Sequence, residues 1–175
     1  MPHYIEPADA LHQSFLRFDK AYRFLAGDTK AVERQYKPYA LALLQAAGFD
    51  LLQIGVCGAT APVDLVVNGY QVELKVSRCN SKAASWNGHR REHYYKALLR
   101  DHANHHFLNG HFVLLLCVLP TSELCPFVIP TWAVGDRRTI EITSDPFTYN
   151  GRWAHYRGAF HLLKESSHDD ADCGL

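Results

Sequence analysis

Asp64, Glu73 and Lys75 are the residues whose types and spacing suit chemistry. Two carboxylates can share a hard cation, and an ammonium beside them can hold a water or a phosphate oxygen. All three lie in the stretch Pro62–Ser77, which reads Pro-Val-Asp-Leu-Val-Val-Asn-Gly-Tyr-Gln-Val-Glu-Leu-Lys-Val-Ser. Asn68-Gly69 divides two runs rich in apolar and β-branched residues, and both of its residues tolerate the positive φ of a type I′ turn. A two-residue turn sets the register: Val67 faces Tyr70, Val66 faces Gln71, Leu65 faces Val72, and Asp64 then faces Glu73. Facing side chains share one side of a sheet, with Cβ atoms about 4.5–5.5 Å apart. Alternation puts Lys75 on that side and turns Val72, Leu74 and Val76 the other way, into a core. Opposed like charges destabilise a sheet, so the pair points to a site where stability yields to chemistry. Mg2+ suits it, since that ion takes one or two carboxylates together with waters and phosphate oxygens. The competing reading is a solvated face on which Lys75 only neutralises Glu73.

Asp64 after Pro62, followed by Glu73-Leu74-Lys75 on the next strand, resembles the signature of the PD-(D/E)XK nuclease superfamily, with Val63 set between the proline and the aspartate. Glu-x-Lys alone is a weak signal. An aspartate facing it across a hairpin, with a basic segment after it, makes the pattern specific. The likeness runs from Asp28 to Leu163, and the hairpin is its specific part. Tyr149–Arg157 also matches a Tyr-x-Gly-x-Trp-x-x-Tyr-Arg string that ends many nuclease-like domains of that superfamily. The resemblance implies an α/β fold with a restriction-endonuclease-like, Holliday-junction-resolvase-like core. Its central sheet would be mixed and flanked by helices, with an extra N-terminal helix. It also implies a Mg2+ (or Mn2+) cofactor held by Asp64 and Glu73, joined by Glu33 and by the backbone carbonyl of Leu74, with Lys75 as the third catalytic residue. Glu33 is the acid available on the first core helix, a turn further from the helix end than the superfamily pattern has it. The alternative for it is an exposed helical glutamate.

Several elements must position these groups. Asp28 and Thr29 offer N-cap oxygens for a helix that runs towards Gly48, a good C′ residue, and Pro38 is expected to kink or divide it. Leu51–Cys57 reads as a strand leading into the hairpin. Phe112–Leu119 is a continuous apolar run, as expected of a strand buried on both faces. Pro126–Ile129 and Thr139–Thr143 read as short strands. Gly151–Lys164 reads as a closing helix whose stripe of Trp153, Tyr156, Phe160 and Leu163 fastens it to the sheet. Ahead of all these, Glu6–Ala26 has Leu11, Phe15, Phe18, Tyr22 and Leu25 at helical spacing. That N-terminal helix is expected to pack on the body, with a subunit contact, and hence a homodimer, as the alternative.

From Lys75 to Arg100 the chain carries seven basic residues and one acid, Glu92, interleaved with Trp86, Tyr94 and Tyr95. Basic groups neutralise phosphates, and aromatic groups stack on bases or sugars. Arg78, Lys82, Arg90 and Arg91 are therefore expected to grip a DNA backbone; a solvated basic face is the alternative. His102 and His105 are three apart, but no cysteine or H-E-x-x-H pattern joins them in a zinc site.

The 175 residues, 47% of them hydrophobic, suit one domain with a real core. The expected division is an N-terminal helix over 1–27, the nuclease-like domain over 28–164 and a polar tail over 165–175. Formal net charge is zero, so a nucleic-acid surface has to be local. Five cysteines without C-x-x-C spacing argue against a disulfide framework or zinc ribbon and for a cytoplasmic setting. No apolar run is long enough to span a membrane. The expected function is metal-dependent endonucleolytic hydrolysis of DNA phosphodiester bonds. Its rivals are a catalytically inactive DNA-binding module of the same fold and a structural or partner-binding protein.

Overall fold

A computed structural model describes residues 29–58, 61–79, 85–86, 89–90, 94–99 and 110–164. The N-terminal stripe, His102, His105, Lys82, Arg91 and the polar tail lie outside these residues. Helix α1 spans Thr29–Ala46. It forms because Val32, Tyr36, Tyr39, Ala40 and Leu44 recur at helical spacing and bury one stripe. Pro38 does not divide it. Its ring is exposed, on the side where water can satisfy a carbonyl that loses its partner. The helix ends in a Schellman motif: the N–H of Gly48 donates to the Gln45 carbonyl and that of Phe49 to the Leu44 carbonyl. Gly48 takes φ +92° there, a conformation glycine adopts freely.

Leu51–Gln53 forms a 3-10 turn, and the strand expected over Leu51–Cys57 is confined to β1, Ile54–Val56. The Asp50 N–H donates to the Gln53 side chain, which closes this turn from below and delays the strand. Strands β2 (Leu65–Val67) and β3 (Tyr70–Arg78) make the hairpin. Its register is the one the turn dictates: Val67 opposite Tyr70, Val66 opposite Gln71 and Leu65 opposite Val72. Asn68 and Gly69 take φ of +50° and +85°. The Asn68 side-chain amide also donates to the Leu163 carbonyl at 3.1 Å, tying the turn to the chain end. Asn68→Ala therefore loses both a residue at ease with positive φ and a tertiary hydrogen bond. We expect it to cost about 1–3 kcal/mol, measured by urea unfolding.

The short strands β4 (Ser85–Trp86) and β5 (His89–Arg90) pair with each other. Next come β6 (Tyr95–Leu98), β7 (Phe112–Val118) and β8 (Leu124–Pro130). A four-residue helix, α2 (Thr131–Val134), and β9 (Thr139–Ile142) follow. The central sheet has the order β1-β2-β3-β7-β8. Its β3–β7 pair is parallel and the others antiparallel, so the expected α/β architecture around a mixed sheet is present. Every residue of β7 is buried, because both sheet faces are covered. On one face α1 packs on Leu65, Val67, Val72, Leu74, Leu114 and Leu116. On the other, β6 and β9 pair as a ribbon over Val113, Leu115, Phe127 and Ile129.

The closing segment is not a continuous helix. It makes two 3-10 turns, Ala154–Tyr156 and Phe160–Leu163, separated by Gly158 at φ +59°. Tertiary bonds win over helical periodicity here. Phe127 and Arg157 form a β-bridge, and the Arg157 guanidinium donates to the carbonyls of Pro146 and Tyr149. Trp153, Tyr156 and Leu163 are nevertheless buried, as the stripe requires. Among the described residues no helix is long and apolar enough to cross a membrane.

Candidate active site

The hairpin ladder stops at Leu65–Val72. Beyond Val72, β3 continues with β7 alone on its other side, so the edge that faced β2 opens at Glu73. Backbone groups alternate along a strand, and the N–H and C=O of one residue point the same way. The Leu74 N–H on this opened edge donates to Asp64 Oδ2 at 2.9 Å; the Leu74 carbonyl is therefore directed to the same edge. Asp64 is thus not a further rung opposite Glu73, as the register alone would have it. Bends over 61–64 carry it off the ladder, and its carboxylate takes the place of a strand partner.

Helix α1 packs against β3 and supplies two side chains one turn apart, Glu33 and Lys37. Lys75 Nζ lies 2.9 Å from Glu73 Oε1 and 3.4 Å from Glu33 Oε1. Lys37 Nζ lies 3.3 Å from Asp64 Oδ1 and donates to the Cys57 carbonyl at 3.1 Å. Three carboxylates and two ammoniums thus share one half-buried cluster built from α1, β3 and the segment before β2. The Glu33 side chain is 15% exposed, which excludes the solvated helical glutamate. Burial raises its pKa, and the charges of Asp64 and Glu73 add to that rise, against the opposing pull of Lys75. Burial alone would lower the Lys75 pKa, but Glu73 and Glu33 outweigh it and hold the ammonium above its ordinary value. Lys75 stands between Glu73 and Glu33, and Lys37 sits against Asp64. Among the described residues no three His, Cys, Asp or Glu side chains are gathered closely enough to hold a metal ion as they stand.

Lys37 escaped the sequence reading. Its i, i+4 spacing from Glu33 puts both on one helix face, and that was the signal available. Arg78, at the end of β3, is half-buried, and burial lowers its pKa. Arg90 falls in β5, while Lys82 and Arg91 lie outside the described residues. Beyond Lys75 on the same side of β3, the Ser77 hydroxyl donates to the Lys96 carbonyl at 3.1 Å and accepts its N–H at 2.8 Å. That pair of bonds sews β6 onto β3 and limits the cluster at one end.

Compared with solved structures, the fold is similar to that of a bacterial homing endonuclease, with a TM-score of 0.50 and 19% sequence identity. The match spans 77% of this chain and 88% of the other. At that identity the likeness is one of fold. No protein-family model matches the chain, and no curated protein does.

Proposed function

We propose that this chain is a Mg2+- or Mn2+-dependent DNA endonuclease of the PD-(D/E)XK type. The observation that carries the reading is that Glu33, Asp64 and Glu73 lie at the opened edge of β3, with Lys75 on Glu73 and Glu33 and Lys37 on Asp64. The donors fit a hard divalent cation in kind and in charge: carboxylates and a backbone carbonyl are its preferred ligands, and the acids exceed the ammoniums by one. Asp64, Glu73, Glu33 and the Leu74 carbonyl would hold the ion. Bound there, it would supply polarisation of a phosphoryl oxygen and a lowered pKa for a water. Lys75 commits two of its three N–H donors to Glu73 and Glu33, which aims the ammonium. The remaining donor would orient the attacking water or offset charge developing on phosphate. That a homing endonuclease shares the fold supports DNA as the substrate class.

The test is a panel of linear, nicked, flapped and branched DNAs incubated with and without Mg2+ or Mn2+. Cleavage of at least one member only when the ion is present is expected. Absence of cleavage across the panel with both ions sinks the reading.

The basic excess between Lys75 and Arg100 is assigned to the phosphate backbone through Arg78, Lys82, Arg90 and Arg91. The double substitution Arg90→Ala with Arg91→Ala should weaken binding to all DNA sequences alike. It should also reduce the slope of log affinity against log salt by roughly two. Fluorescence anisotropy at several salt concentrations measures this, and an unchanged slope moves the DNA surface elsewhere.

A further inference from the structure

Lys37 is 9% exposed, and a buried lysine is costly to keep. Its bond to Asp64 is not needed to place that residue. Asp64 already receives the Leu74 N–H on Oδ2, donates its own N–H to the Val72 carbonyl, and accepts the Cys57 N–H on its carbonyl. With position fixed three times over, what Lys37 adds is charge. The cluster holds Glu33, Asp64 and Glu73 against Lys37 and Lys75, a net charge of one negative. Without Lys37 it would be two negative.

We propose that Lys37 sets the charge of the cluster, so that the site loaded with one divalent cation is positive towards a single phosphodiester. This rests on the metal-nuclease reading above. Lys37 trades cation affinity for phosphate attraction: it opposes the ion through Asp64 and leaves one positive charge for the anionic substrate. With that lysine neutral, the loaded site would carry no net charge, and it would end repulsion of the phosphate without adding attraction.

The test uses the full chain and Lys37→Met, which keeps the length and apolar stem of the side chain. Mn2+ affinity is measured without DNA by electron paramagnetic resonance. Affinity for a short DNA duplex is measured by anisotropy with and without Mn2+, and the duplex is checked on a gel afterwards. The variant is expected to bind Mn2+ about tenfold more tightly or better, and, at saturating Mn2+, to bind the duplex several-fold more weakly than the parent does. Lys37→Arg, which keeps the charge, should behave as the parent. Lys37→Gln, which can still donate to the Cys57 carbonyl, should behave as the methionine variant, and it carries the test if Lys37→Met does not fold. Mn2+ affinity that is unchanged or weaker in the neutral variants overturns the proposal, as does a DNA affinity at saturating Mn2+ equal to the parent's. A parent that binds no Mn2+ is a different result, and it removes the metal-nuclease reading itself.

Discussion

Asp64→Asn and Glu73→Gln are each expected to abolish cleavage while leaving the protein as stable as the parent or more so. Both amides keep the size of the acid and an acceptor oxygen, so the amide introduced in place of Asp64 can still take the Leu74 N–H that Oδ2 takes now. Neither change strands a lysine. Lys75 retains Glu33 when Glu73 is neutralised, and Lys37 retains the Cys57 carbonyl when Asp64 is. The acids outnumber the ammoniums, so removing one negative charge brings the cluster to balance and relieves repulsion. The melting temperature should therefore hold or rise, and a fall beyond about 2–4 °C, which corresponds to roughly 1 kcal/mol in a protein of this size, would count against this. The catalytic loss has a separate origin. A neutral amide is a poor ligand for a hard dication, and the electrostatic help such an ion gives is worth several kcal/mol, so a fall of a thousandfold or more, about 4 kcal/mol, is expected. Single-turnover cleavage of whichever DNA the parent cuts, beside a thermal melt, decides the matter. Near-parental cleavage by either variant would show that the site has been assigned to the wrong residues.

Lys75→Ala separates the catalytic reading from a salt-bridge reading most sharply. A lysine that served only Glu73 and Glu33 would be missed as a structural tie, and any activity would survive its loss in proportion to the folded fraction. A lysine that acts on the transition state should be missed in the rate: at saturating DNA, a fall of roughly a hundredfold to a thousandfold, far beyond the loss of DNA affinity that removing one positive charge brings. Lys75→Arg should rescue poorly. Between Glu73 at 2.9 Å and Glu33 at 3.4 Å, a planar guanidinium would be drawn into a bidentate pair with a carboxylate and away from a single water or phosphate oxygen. The measurements are single-turnover cleavage, equilibrium binding and an unfolding curve for each variant. A rate within a few-fold of the parent, once corrected for folding, ends the catalytic role of Lys75.

Features encoded by neighbours along the chain were legible without a structure. Asn68-Gly69 set the turn, the turn set the register from Leu65–Val72 to Val67–Tyr70, and the register set which side chains of β3 are buried. The unbroken apolar run at Phe112 announced a strand covered on both faces, because no solvent-facing alternation interrupts it. Glu73 and Lys75 were legible for the same reason: two residues apart on one strand, they share a side whatever the rest of the chain does. Folding in three dimensions settled everything that depends on partners distant in sequence. Asp64 leaves the ladder because an edge backbone N–H at Leu74 and an ammonium on α1 compete for it, and no local rule weighs those two against a strand pairing. Tyr95–Leu98, inside the basic and aromatic segment expected to grip a DNA backbone, is a strand because β9 is there to pair with it. The helical stripe at the chain end is spent on two short turns because Phe127 and the carbonyls of Pro146 and Tyr149 hold Arg157 in an extended position. Lys37 belongs to the site only because packing brings one face of α1 over Cys57 and Asp64. Periodicity marks which face of a helix is apolar, but not which buried charge its polar edge will meet.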